Sequence, residues 1–75
     1  MILDLDCEKF LKRLGARLKD IRKEKGWTLE QTEEHGWSSW RHLQKIENVK
    51  NVTLATLWKL SKVYKVPINV FFENL

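Results

Sequence analysis

Apolar residues recur every three or four positions along almost the whole 75-residue chain, and no stretch alternates apolar and polar residues as a strand would. This spacing places apolar side chains on one face of a helix and predicts an all-α fold. Because 43% of the residues are apolar, the chain can form a compact core, although its length is near the lower limit for a stable domain. We expect a single domain over residues 1–75.

Capping residues and glycines divide the chain into five predicted helices. The first runs from about Asp6 to Lys25 and ends at Gly26, a typical C-cap. Its apolar stripe, expected to face the core, consists of Cys7, Phe10, Leu11, Leu14, Leu18 and Ile21. Thr28 caps a short second helix, and Gln31 completes a capping box. Gly36 ends this helix after His35.

The three remaining helices follow the same logic. Ser38 or Ser39 caps the third helix, which places Leu43 and Ile46 on its inner face. Residues 49–52 form a connection. Thr53 caps the fourth helix, and Pro67 begins a short fifth one that runs through Phe71 and Phe72. The expected core stripe of the fourth helix is Leu54, Leu57, Leu60, Ser61 and Tyr64.

The positive charge of the chain lies in its second half. The net charge is +4; residues 1–37 hold eight basic and eight acidic side chains, whereas residues 38–75 hold six basic and two acidic ones. Such an excess favours a polyanion such as nucleic acid, and simple solubility is an equally good explanation at this point. The one cysteine, Cys7, cannot form an internal disulfide. Without a membrane span or a basic signal segment, we expect a cytoplasmic protein.

The second and third predicted helices, joined through Gly36, Trp37 and Ser38, have the pattern of a helix-turn-helix. From Leu14 to about Phe72 the chain resembles the Cro/repressor-type (XRE) helix-turn-helix family of bacteria and their phages. The matching positions are Ile21-Arg22, Gly26, Thr28, Ile46-Glu47 and the run 53–66. The resemblance implies a five-helix, lambda-repressor-like DNA-binding domain that reads the major groove with its third helix.

Several positions depart from the usual family pattern. Thr32-Glu33 replaces a common Leu-Ala, and Gly36-Trp37 moves the turn glycine one residue earlier, with Trp37 in the buried apolar role. Val49 stands where a glycine is usual, and Leu29 where the family often has a phosphate-contacting glutamine. These changes affect the angle of the second helix and one phosphate contact rather than the fold.

Arg22 and Glu47 are both expected to point inward. Arg22 lies on the stripe of Leu18 and Ile21, and Glu47 lies on the side of the third helix that carries Leu43. An unpaired buried charge is very costly. The family resemblance implies that the two form a structural ion pair holding the third helix against the first.

The outer face and the N-terminal end of the third helix supply the expected base contacts. They are Ser39, Trp40, Arg41, Gln44 and Lys45. Arginine can bind guanine bidentately and glutamine can bind adenine in the same way, so Arg41 is the strongest candidate. Trp40 has two interpretations, because its angle allows it to pack under the helix while its family position puts it against a base.

Phosphate contacts are expected where helices begin and along the connection before the fourth helix. The candidates are Thr28, Asn48, Lys50, Asn51 and Thr53. Lys59 and Lys62 face outward on the fourth helix. For these two residues a phosphate contact and a solubilising role are equally good interpretations.

A homodimer on a paired half-site operator is expected, because one such module makes few base contacts. The apolar residues left over for a two-fold interface are Trp58, Val63, Val70, Phe71, Phe72 and Leu75. Phe71 and Phe72 have a second interpretation, since one of them can simply seal the core.

An enzyme is not expected. His35 and His42 lie on different helices without a carboxylate or cysteine at ligand spacing, so neither a metal site nor a catalytic triad is indicated. No cofactor is implied.

The alternative function is a protein-interaction module on the same fold, such as an antitoxin or adaptor. A phage repressor, a controller of a restriction–modification operon and an antitoxin-like autoregulator all fit the DNA-binding interpretation.

Overall fold

The computed structural model describes residues 3–48, 52–73 and 75, and the side chains of these residues from Cys7 onward. Every secondary-structure element in these ranges is helical. In chain order they are α1 (Leu3–Glu24), a first 3₁₀ helix (Glu30–His35), α2 (Trp40–Glu47), α3 (Leu54–Tyr64) and a last 3₁₀ helix (Ile68–Phe72). The all-α expectation is confirmed, with 3₁₀ geometry in two of the five predicted segments. No helix in the described ranges is long and apolar enough to cross a membrane.

The C-terminal half of α1 carries its part of the core. Leu14, Leu18 and Ile21 are buried, as expected, but Cys7 is exposed and Phe10 is 41% exposed. The helical period identifies the apolar face of a helix, but it does not say how far along that face the rest of the chain packs. Phe10 instead stacks on Phe72, with ring centroids 6.3 Å apart.

A glycine brings α1 and α2 into close contact. A Cβ atom at Gly15 would lie 2.6 Å from the carbonyl oxygen of Glu47 and 3.1 Å from that of Ile46, the last two residues of α2. The first distance is shorter than real Cβ–oxygen contacts, and the second is tighter than most of them. Only glycine therefore permits the present approach of the two helices.

The predicted capping box is present at the first 3₁₀ helix. The Thr28 N–H donates to Gln31 Oε1 at 2.8 Å, and the Gln31 N–H donates to Thr28 Oγ1 at 3.2 Å. The buried Thr32 hydroxyl donates to the Leu29 carbonyl oxygen at 2.5 Å. A hydroxyl that bonds to a nearby carbonyl competes with the α-helical ladder, which is consistent with 3₁₀ geometry here. Gly36, at φ +107°, ends the segment as expected.

The N-caps of α2 and α3 are the predicted ones. Ser39 Oγ accepts from the His42 N–H at 3.4 Å, and Thr53 Oγ1 accepts from the Thr56 N–H at 3.1 Å.

Of the expected core stripe of α3, four residues are buried: Leu57, Leu60, Ser61 and Tyr64. Leu54 was expected there too, but it is 68% exposed, because it is the first residue of α3 and projects beyond the packed face.

The C-terminal segment closes the core. Phe71 is fully buried and meets Tyr64 edge-on, with ring centroids 6.3 Å apart and planes at 86°. Arg17 of α1 holds this segment, since its Nε donates to the Val70 carbonyl oxygen at 3.1 Å. Its Nη2 also lies 3.6 Å from the Glu73 carboxylate. The last 3₁₀ helix is thus fixed to α1 by polar contacts as well as apolar ones.

Tyr64 offers a test of core energetics. Its hydroxyl is buried and has no hydrogen-bond partner among the described residues. A buried hydroxyl without a partner costs about 1–3 kcal/mol, so we expect Tyr64→Phe to raise the free energy of unfolding by about 1 kcal/mol at pH 7. Urea unfolding of the two proteins measures this difference, and a destabilised variant would contradict it.

The same side chain predicts a pH dependence. Burial, reinforced by the negative charge of Glu47, raises the pKa of Tyr64 well above its ordinary value of 10. The unfolded chain therefore loses the phenolic proton as the pH rises through about 10, while the folded protein keeps it, so ionisation favours unfolding at alkaline pH. Tyr64 is the one tyrosine in the chain. We expect Tyr64→Phe to lose less stability than the parent protein between pH 9 and 11.

Candidate nucleic-acid interface

The first 3₁₀ helix, a four-residue turn and α2 form a helix-turn-helix. Trp37 in the turn is 6% exposed, as expected for its apolar role, and its backbone N–H donates to the Thr32 carbonyl oxygen at 3.0 Å. Its ring stacks on that of His42 in α2, with centroids 5.9 Å apart. The turn therefore packs against both helices and sets the direction in which α2 leaves it.

The inner face of α2 is anchored by a buried ion pair. Arg22 Nε donates to Glu47 Oε2 at 2.8 Å and Arg22 Nη2 donates to Glu47 Oε1 at 3.0 Å, so the pair is bidentate. The residues are 6% and 8% exposed. Arg22 Nη1 also donates to the Trp27 carbonyl oxygen at 2.8 Å. The hydrogen bond to Glu47 raises the pKa of Arg22 against the opposing effect of burial. These contacts fix α2 on α1.

The outer face of α2 is polar and open to solvent. Arg41, Gln44, Lys45 and Asn48 are exposed, while Ser39 and Trp40 are half-buried. The Arg41 guanidinium carbon lies 5.3 Å from the centroid of the Trp40 ring, within cation–π range. Trp40 is thus partly covered and supports the side chain of Arg41, and its contact with a base stays a prediction.

A family model described as Helix-turn-helix matches residues 18–71. These residues include the first 3₁₀ helix, α2, α3 and their connections. The chain belongs to the Cro/repressor-type (XRE) helix-turn-helix family. Comparisons with curated proteins and with solved structures found no significant match. The helix-turn-helix family is one of DNA-binding regulators rather than of enzymes, and this assigns the chain the same general function.

One residue of this helix-turn-helix was missed by sequence reasoning. Glu33 is exposed on the first 3₁₀ helix, and its Oε2 atom accepts a hydrogen bond from the backbone N–H of Trp40 at 2.7 Å. The carboxylate therefore sits at the N-terminal end of α2. The available signal was the acidic residue itself, which stands where the family commonly has alanine.

The expected phosphate-contacting residues are placed unequally. Thr28, Asn48 and Thr53 are exposed. The Thr28 N–H donates to Gln31 Oε1 inside the capping box, and a phosphate contact near Thr28 stays a prediction. Lys50 and Asn51 lie outside the described residues.

A cleft of about 360 Å³ separates the turn and α2 from α3. His42 lines one side of it, and Lys59 and Lys62 line the other. The Lys62 ammonium nitrogen lies 5.1 Å from the centroid of the Trp58 ring. Two lysines therefore stand across the cleft from the turn and from His42 of α2.

The residues predicted for a dimer interface do not form one equally exposed set. Trp58 is 54% and Phe72 37% exposed, whereas Val63, Val70 and Leu75 are half-buried. Phe71 is fully buried and cannot contribute to a surface, because it seals the core against Tyr64. Leu54 and Phe10, not expected at the surface, are the other large exposed apolar residues described.

Proposed function

We propose that this protein is a sequence-specific regulator of transcription that reads the major groove of double-stranded DNA with the outer face of α2. The observation that carries the proposal is the division of α2 into two faces. Leu43, Ile46 and Glu47 are buried against the domain, and the opposite side presents an exposed set of hydrogen-bonding side chains: Arg41, Gln44, Lys45 and Asn48. A groove about 12 Å wide admits a helix, and these side chain types match base edges.

The position of Arg41 supports its role as the main base contact. Its guanidinium lies over the Trp40 ring, which restricts the conformations of a side chain that would otherwise be free. Less entropy is then lost when the guanidinium binds guanine O6 and N7. Ser39 serves first as the N-cap of α2, so we propose that it contacts DNA only at the entrance to the groove.

Phosphate contacts are proposed on both sides of α2. One proposed group lies around the connection that follows α2 in sequence: Asn48, Lys50, Asn51 and Thr53. Lys59 and Lys62 flank α2 across the cleft and supply a second group. A helix lying in the major groove has a sugar-phosphate strand on either flank, which favours phosphate contacts by the two lysines across the cleft.

We further propose a homodimer on paired half-sites, as the family resemblance implies. Trp58 and Phe72 are the exposed aromatic residues of the proposed interface, and Val63, Val70 and Leu75 are its half-buried members. Large apolar side chains left in solvent favour association.

Replacing Arg41 with alanine tests base readout. A preferred duplex is first selected from a random library with the parent protein, and its shuffled form serves as non-specific DNA. We expect Arg41→Ala to weaken binding to the preferred duplex by about 1–3 kcal/mol, or roughly 5- to 150-fold, with a much smaller effect on shuffled DNA. Fluorescence anisotropy measures both affinities. Lys19→Ala, at an exposed basic residue of α1, is the matched control and should leave the preference intact.

The same titrations distinguish the remaining alternatives. Above the dissociation constant, a homodimer saturates the duplex at two chains per site, and a monomer saturates at one. DNA affinity should fall steeply as salt rises, because bound phosphates release counterions. If the parent protein selects no preferred duplex, the proposal is wrong. The exposed Leu54 and Trp58 would then favour the second candidate function, a protein-interaction module that binds through α3.

A further inference from the structure

The N-terminal end of α2 carries a carboxylate from the preceding 3₁₀ helix. Glu33 Oε2 accepts the Trp40 N–H at 2.7 Å, and Ser39 Oγ accepts the His42 N–H at 3.4 Å. The first N–H groups of a helix have no partner within it and carry a partial positive charge that attracts anions. Here the protein's own side chains use two of these donors, and one of those side chains is acidic.

This arrangement is expected to alter the affinity of the N-terminal end of α2 for phosphates and for base edges. Phosphates are the same in every sequence, so a helix end with free donors gains affinity for all DNA alike. The Glu33 carboxylate uses such a donor and repels phosphate. Base edges differ from one another, because the amino groups of cytosine and adenine can donate to a carboxylate while other major-groove atoms cannot. A carboxylate here therefore disfavours binding to most DNA sequences. It is compatible with those that place a cytosine or adenine amino group beside it.

We infer that Glu33 is a specificity-determining residue, which lowers affinity for DNA in general more than affinity for the preferred duplex. The inference rests on the proposed reading of DNA by α2. Glu33 is also a positioning residue for Arg41, because it holds the backbone of Trp40, whose ring supports the guanidinium. Its charge and its hydrogen bond thus both act on the reading end of α2.

Two glutamine variants test whether the effect depends on where the negative charge lies or only on the loss of one negative charge. Glu33→Gln keeps an acceptor for the Trp40 N–H and removes the charge. Glu34→Gln removes the same charge from the next exposed residue of the same 3₁₀ helix. We expect Glu33→Gln to bind shuffled DNA about three- to fivefold more tightly than the parent, from the usual strength of a charge at a helix end. Its gain on the preferred duplex should be smaller, so that discrimination falls. Glu34→Gln should change both affinities by the same factor.

A third variant, Glu33→Ala, removes both the charge and the acceptor. We expect it to bind shuffled DNA more tightly, as Glu33→Gln does, but to bind the preferred duplex more weakly because Trp40 and Arg41 lose their support. Circular dichroism under the assay conditions checks that every variant is folded. Equal discrimination by Glu33→Gln and Glu34→Gln would overturn the inference while leaving the proposed function intact. A parent protein without any preferred duplex would overturn both.

Discussion

Replacing Glu47 with glutamine is expected to lower the free energy of unfolding by about 3–5 kcal/mol, because it leaves a buried arginine without a counter-charge. The Arg22 guanidinium cannot escape by losing its proton, since arginine stays charged at any ordinary pH. It is also poorly hydrated in its present position, as only 6% of the residue is exposed. Natural domains are stable by roughly 5–15 kcal/mol, so the variant should lose a large part of its stability.

Urea unfolding followed by circular dichroism measures this effect, and a surface ion pair supplies its control. The Glu73 carboxylate lies 3.6 Å from Arg17 Nη2, but its side chain is 54% exposed. Glu73→Gln should therefore cost less than about 1 kcal/mol. Replacing Arg22 and Glu47 together with methionine should recover much of the stability lost in the single variant, because no uncompensated charge remains. Equal effects at Glu47 and Glu73 would show that the buried pair does not hold the fold.

The second large effect is expected at Gly15, where valine should lower the free energy of unfolding by about 3 kcal/mol or more through overpacking. The first added carbon would lie 2.6 Å from the Glu47 carbonyl oxygen. This oxygen belongs to the backbone and cannot rotate away as a side chain would. α1 and α2 must therefore separate, and the Arg22–Glu47 hydrogen bonds at the same contact must lengthen.

The neighbouring residue provides the control for Gly15→Val. Ala16 is exposed on α1, so Ala16→Val introduces the same branched side chain without a collision. Its cost should be the loss of helix propensity alone, about 0.5 kcal/mol. Thermal unfolding of both variants gives the comparison. If the two midpoints fall by the same amount, the close approach of the helices is not what requires glycine at residue 15.

Local signals in the sequence predicted most of the helix ends. Thr28 with Gln31, Ser39 and Thr53 form the expected caps, since a cap depends only on residues within one turn. Gly36 ends its segment for the same reason, because its positive φ is a local property. The pairing of Arg22 with Glu47 spans 25 residues, and it could be anticipated because both residues lie on apolar stripes and the family resemblance joined them.

Features that depend on the arrangement of helices could not be predicted. Cys7 and Phe10 in the N-terminal half of α1, and Leu54 at the start of α3, lie on apolar stripes at positions that the core does not cover. The contact between Glu33 and the backbone of Trp40 depends on the path of the turn, which no spacing rule describes. Gly15 likewise has no helix-ending role, and its importance is visible only when α2 is placed across α1.

The eight residues of α2 form two faces, one that stabilises the domain and one to which we assign the proposed recognition of DNA. Leu43, Ile46 and Glu47 hold the helix in the domain, whereas Arg41, Gln44 and Lys45 make no buried contact. Surface substitutions of this kind usually change stability by no more than about 0.5 kcal/mol. Mutations on this outer face can therefore accumulate without endangering the fold. If α2 reads DNA as proposed, such a chain is free during evolution to acquire a new operator one residue at a time, through folded intermediates at every step.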